Sequence, residues 1–129
     1  MQSNKSIASA LVVLLLLGPV SAQAYPERSN VAPGIDRMGR PGKRDLETLK
    51  AENFKTIINL ENDFKAVKKE AEMATALGLN HLSYQMSWWS TPDDKEVDEM
   101  LTLLQDESIH PVVIHCKHGE DRTGMMIGL

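Results

Sequence analysis

The run Pro111-Val-Val-Ile-His115 constrains this chain more than any other stretch. A short uninterrupted apolar segment of this kind suits a strand covered on both faces, the situation of a central strand in a parallel sheet. The segments before it alternate between strand-like and helix-like patterns. Residues 55–60 (Lys-Thr-Ile-Ile-Asn-Leu) are β-branched and apolar and predict a buried strand. Residues 63–77 carry Phe64, Val67, Ala71, Ala74 and Leu77 on one helical stripe, and Gly78 stands where a C-terminal cap would fall. Residues 80–86 place Leu82, Tyr84 and Met86 on one side of a second strand. Thr91-Pro92-Asp93-Asp94 opens another helix with Thr91 as its N-cap; that helix runs to about Glu107, with Val97, Leu101 and Leu104 inward. Earlier, Leu46, Leu49 and Ala51 give residues 45–53 near-helical spacing, after a strand or turn at 37–42. Strands alternating with helices predict right-handed βαβ units, hence an α/β fold with a central, mostly parallel sheet flanked by helices.

The N-terminal residues stand apart from this pattern. Lys5, the apolar stretch 7–17, Gly18-Pro19 and Ala22-Gln23-Ala24 follow the order of a secretory signal peptide with its cleavage site, so residues 1–24 are expected to be removed and the protein exported, to a periplasm or outside the cell. The apolar stretch is short against the roughly 20 residues a membrane span needs, so no span is expected after cleavage, an uncleaved N-terminal anchor being the alternative. Residues 25–34 are rich in Pro, Ser, Asn and Gly and read as an extended lead-in. The domain proper is expected over 35–129. With 14 basic and 18 acidic residues and a formal charge of −4, the chain lacks the basic surface that nucleic-acid binding requires. Its single cysteine, Cys116, rules out an internal disulfide and any paired-cysteine zinc site. In an oxidising compartment a lone thiol is a hazard unless it is buried or used.

The residues around Cys116 suggest use. His115-Cys116-Lys117-His118-Gly119-Glu120-Asp121-Arg122-Thr123-Gly124 sets a cysteine at the end of the buried strand and an arginine six residues on, where a new helix is expected. A loop between a strand and a helix N-terminus turns successive backbone N–H groups toward an anion, and Gly119 permits that path without a Cβ. The phosphate contacts are expected from Lys117, His118, Gly119, Glu120, Asp121 and Arg122. The field that holds a phosphate dianion also favours a thiolate, which makes Cys116 a nucleophile. Arg122 supplies a planar fork that bonds two phosphoryl oxygens at once, which lysine could not do.

This ten-residue stretch resembles the H-C-x-x-G-x-x-R-T-G signature of the cysteine-dependent protein tyrosine phosphatases, in the atypical dual-specificity branch. Upstream, Arg40-Pro41 with the Leu46–Leu49 helix, Ile57-Ile58-Asn59-Leu60 and Pro111-Val-Val-Ile also resemble ordered blocks of small bacterial and plant-type members. The resemblance implies a tyrosine-phosphatase-like fold and hydrolysis of phosphomonoesters in two steps through a phosphocysteine, with no cofactor and no metal. It further implies that Thr123 hydrogen-bonds the cysteine sulfur and that His115 orients the loop.

Three aspartates compete for the role of general acid. Asp93 and Asp94 stand where the family places a mobile acid loop, although as N-terminal helix residues they also suit the helix dipole. Asp121 resembles the C-x-x-G-x-D-R variant of bacterial phosphatases and is preferred; facing a bound dianion, it would need a raised pKa to carry a proton. Lys117 and His118 resemble loops that accept phosphoinositides or inositol polyphosphates, so the expected partner is a phosphoprotein bearing a phosphotyrosine-like ester or a phosphorylated small molecule. Trp88-Trp89 suit rim packing, with one wall of a substrate cleft as the alternative, and the methionines are mostly fillers; His81 and His110 flank strands without ligand spacing, and none of these residues is assigned chemistry. Only seven residues follow Arg122, so the helix behind the loop is short and the domain is expected to be C-terminally truncated. The competing expectation is a phosphate-binding or interaction module that keeps the cradle without turnover. A rhodanese-like sulfurtransferase is disfavoured by the Cys-to-Arg spacing and the Thr123-Gly124 ending.

Overall fold

A computed structural model of the chain describes residues 27–86 and 91–117. In chain order these form β1 (Ser29–Ala32), β2 (Ile35–Met38), α1 (Lys43–Ala51), β3 (Thr56–Asn59), α2 (Phe64–Ala76), β4 (Asn80–Ser83), α3 (Asp94–Gln105), a 3₁₀ turn (Glu107–Ile109) and β5 (Val112–His115). The strands lie in the order β1-β2-β5-β3-β4. β5 is the middle strand and runs parallel to both neighbours, with His115 opposite Met38 on one side and Asn59 on the other. β4 continues the parallel sheet beside β3, and β1 closes the other edge antiparallel to β2. The sheet is therefore mostly parallel, as the alternating pattern predicts.

Because successive strand residues face opposite sides, the sheet divides the core in two. Ile57, Val113 and Met38 pack with Leu46 and Leu49 of α1 and Ala74 of α2 on one face. Ile58, Leu60, Val112, Ile114 and Cys116 pack with Met100 and Leu104 of α3 on the other. The four residues of β5 are all fully buried, which fits its continuous apolar sequence.

Three local expectations change. Ser29–Ala32, inside the stretch expected to be a lead-in, is a strand of the sheet: Asn30 Nδ2 bonds the carbonyls of Ala32 and Ile35 and the carboxylate of Asp36, which fixes the turn into β2. The N-cap of α3 is Asp93, not Thr91. Its carboxylate accepts the Glu96 N–H at 2.8 Å while the Glu96 carboxylate accepts the Asp93 N–H at 3.0 Å, a reciprocal cap that a threonine two residues earlier could not make. Phe64, placed by spacing on the inward stripe of α2, is 72% exposed. It lies in the first turn, whereas α2 meets the core through Met73, Ala74 and Leu77 in its later turns.

Gly34 joins β1 to β2 at φ +75°, and a Cβ there would sit 2.7 Å from His110 Nδ1. That ring is held by Nε2 donating to the Leu104 carbonyl at 2.8 Å, and the Gly34 carbonyl accepts the Val112 N–H at 2.8 Å. Gly34→Ala is expected to destabilise the fold by about 1–3 kcal/mol, through strain at positive φ and displacement of the imidazole. Urea unfolding of the two proteins side by side measures it.

Candidate active site

Parallel sheets present functional groups at the carboxyl ends of their strands, because each chain there leaves the ladder and turns toward a helix. Cys116 is the first residue past β5, 3% exposed and packed on the α3 face. The edge around it is closely tied. Leu60 N–H donates to the His115 carbonyl at 2.9 Å, and Arg40 N–H donates to the Lys117 carbonyl at 3.2 Å. The peptide before the cysteine is thus held by the segment after β3, and the carbonyl of the next residue, Lys117, by the segment after β2.

Arg40 serves this edge a second time through its side chain. Its Nε lies 3.0 and 2.9 Å from the two carboxylate oxygens of Glu61, which is almost fully buried, and Nη2 completes the pair. Asp63 Oδ2 is 3.9 Å from the same guanidinium. A fork-to-carboxylate pair of this kind fixes both partners in orientation as well as distance.

On the opposite face, below the same edge, lies a buried carboxylate. Glu70 of α2 is 3% exposed. Its Oε2 accepts Asn59 Nδ2 at 2.7 Å, His81 Nε2 at 2.7 Å and His115 Nε2 at 2.9 Å; the His115 nitrogen is also 2.8 Å from Oε1. The other side of the His115 ring, Nδ1, donates to the Cys116 carbonyl at 3.2 Å. Asn59 Oδ1 accepts the Glu61 N–H at 2.8 Å, which connects this cluster to the Arg40 pair. Burial, the strongest single influence on Glu70, pushes its carboxyl up; the bonds from His115, His81 and Asn59 together with the charge of His115 outweigh it and bring the pKa down to about 2. These polar atoms point at one another and leave no common point for a cation. Among the described residues no other group is arranged as a metal site either.

Of the sequence-derived site residues, Cys116 and the exposed Lys117 stand together at the end of β5. Asp93 is engaged as the cap of α3, and Asp94 is an exposed acid of its first turn. His118, Gly119, Glu120, Asp121, Arg122, Thr123 and Trp88-Trp89 lie outside the described residues. Glu70, Glu61, Asn59 and His81 are assigned no chemistry from the sequence alone. Two signals were present. Glu70 falls on the inward stripe between Val67 and Ala74, and Asn59 interrupts an otherwise apolar strand.

The family model described as a polymorphic toxin system DSP-PTPase phosphatase matches residues 32–129. Inositol diphosphatase DSP4 of Arabidopsis thaliana is 32% identical over 100 residues, covering 74% of this chain and 50% of that protein. Dual specificity protein phosphatase TpbA of Pseudomonas aeruginosa is 28% identical over 116 residues, 86% of this chain and 50% of TpbA; its structure with phosphotyrosine superposes with a TM-score of 0.60 at 20% identity, over 81% of this chain and 65% of that one. The core catalytic domain of the yeast PP-IP phosphatase Siw14 (S. cerevisiae), solved with citrate, gives a TM-score of 0.69 at 25% identity over 81% of this chain and 64% of that one. The chain spans about half the length of the curated relatives it matches.

Two outcomes follow from the charge pairs. Stability contributed by Glu70 is whole above its unfolded-chain value near 4.5 and is lost as pH falls toward about 2, because protonation there leaves the imidazoles facing a neutral carboxyl. Urea unfolding between those pH values should show a steeper loss in the unaltered chain than in Glu70→Gln. Arg40→Ala strands the buried Glu61 carboxylate and should cost about 1–3 kcal/mol, part of the pair being open to solvent; thermal unfolding at neutral pH measures it.

Proposed function

We propose, because the chain belongs to the DSP-PTPase phosphatase family, that it hydrolyses phosphomonoesters through a phosphocysteine on Cys116. The position of Cys116 carries this reading: a buried thiol one residue past the central parallel strand, with the His115 carbonyl before it and the Lys117 carbonyl after it both hydrogen-bonded to neighbouring segments. In the first step the Cys116 thiolate attacks phosphorus. The sulfur–phosphorus bond forms, the ester bond breaks, and the leaving oxygen takes a proton from the general acid. In the second step water attacks the phosphocysteine and gives a proton back to the carboxylate left by the first step; the sulfur–phosphorus bond breaks, releasing inorganic phosphate and restoring the thiolate. Arg122 and the N–H groups of residues 117–122 bind the phosphoryl oxygens, and Thr123 supports the departing sulfur.

Asp121 and Asp94 are the stronger candidates for the acid, since the Asp93 carboxylate already receives the Glu96 N–H as a helix cap. The substrate class is a phosphotyrosine-like ester or an inositol phosphate. An inositol diphosphatase and a PP-IP phosphatase among the similar proteins support the second, and TpbA bound to phosphotyrosine supports the first. Export by way of residues 1–24 places the activity in a periplasm or outside the cell.

Phosphate release from an aryl phosphate and from an inositol polyphosphate, by the full chain and by Cys116→Ser, tests this. Turnover should fall more than about a thousandfold in the variant while phosphate binding persists. Binding without turnover in both proteins would instead identify an anion-binding module.

A further inference from the structure

We infer that Glu70 is a positioning residue for the nucleophile: the carboxylate fixes the imidazole of His115 and, through that ring, the carbonyl of Cys116. The inference rests on the reading of Cys116 as nucleophile. Glu70 comes from a helix, yet its three partners come from three adjacent parallel strands, Asn59 from β3, His81 from β4 and His115 from β5. Asn59 and His115 are direct register partners, so their side chains emerge on the same face and reach one carboxylate. The reactive side chain lies on the other face, with α3. Glu70 therefore acts through the backbone, without touching substrate.

His115 has an acceptor at each ring nitrogen, the Glu70 carboxylate at Nε2 and the Cys116 carbonyl at Nδ1. Both bonds are made together only when both nitrogens carry protons. The Cys116 carbonyl belongs to the peptide joining the nucleophile to Lys117, whose own carbonyl is held by Arg40 N–H. The first two peptides of the catalytic loop are thus pinned, one by the His115 ring and one by the Arg40 N–H, and the direction of the thiolate is set before any phosphate binds. The charged and titratable groups acting on Glu70 are His115 from β5, His81 from β4 and, at longer range, Arg40 from the segment after β2.

Glu70→Gln keeps the shape but removes the charge and turns an amide N–H₂ toward ring donors. In the full chain the expected result is a fall in kcat of about tenfold or more, with KM for an aryl phosphate changed less than about twofold. The pH midpoint for alkylation of Cys116 by iodoacetamide should also move by at least about half a unit. A lower Tm with kcat and the alkylation midpoint unchanged would reduce Glu70 to a structural tie and overturn the proposal. Should the variant fail to fold, ring nitrogen NMR of the unaltered chain decides: His115 with both nitrogens protonated supports the proposal, and a singly protonated His115 overturns it. Absent turnover in the unaltered chain would remove the phosphatase reading alone, since alkylation and ring signals need no substrate.

Discussion

Strand β5 is hydrogen-bonded to a parallel neighbour on each side and covered on each face, and that double confinement sets the position of everything around it. Its backbone groups are satisfied within the sheet, and its side chains alternate between two separate cores. Val113 and His115 face α1 and α2; Val112, Ile114 and Cys116 face α3. A strand so enclosed has little freedom to slide or tilt, because a slip of one residue would exchange the two faces. The residue that leaves its carboxyl end therefore emerges at a fixed place. Cys116 occupies that place, and the carbonyls of its neighbours His115 and Lys117 are bonded to the segments after β3 and β2.

Enclosure in apolar surroundings has a cost at the carboxyl end, where the sheet changes from Ile57 and Val113 to Asn59 and His115. Taking a carboxylate out of water costs several kcal/mol, and each hydrogen bond to an ionised partner returns roughly 1.5–3 kcal/mol. Glu70 collects three donors, which offsets that desolvation and holds its pKa low. Buried polar groups tied by several directed bonds define one arrangement sharply, whereas an apolar filling of the same volume tolerates several. Placing such a cluster under the edge that carries Cys116 trades some stability for a single geometry there. The Arg40–Glu61 pair does similar work at the solvent side of that edge.

The parallel core was legible because its signals are local and repetitive: four apolar residues before His115, the Ile57-Ile58 pair, and the helical stripe ending at Gly78 all appear where their patterns place them. What was not legible depended on partners distant in sequence. β1 has few apolar residues to mark it and forms through ladder bonds and Asn30. Thr91 and Asp93 are both good caps, and the choice between them turns on Glu96 standing three residues after Asp93. Phe64 follows the helical spacing, but periodicity says nothing about which turn of a helix lies over the sheet. In the sequence Glu70 is one more acid in a helical pattern; what singles it out is that its partners His81, His115 and Asn59 come from three different strands.

The covalent step through Cys116 is the centre of this account, and the most direct measurement is a rapid acid quench of the full chain mixed with an aryl phosphate, followed by mass spectrometry of the peptide that contains residues 112–117. The account predicts that the peptide gains the mass of one phosphoryl group, located on Cys116, during turnover and loses it as substrate is exhausted. Phosphate release with Cys116 unmodified at every quench time, or with the phosphoryl group on another side chain, would contradict it.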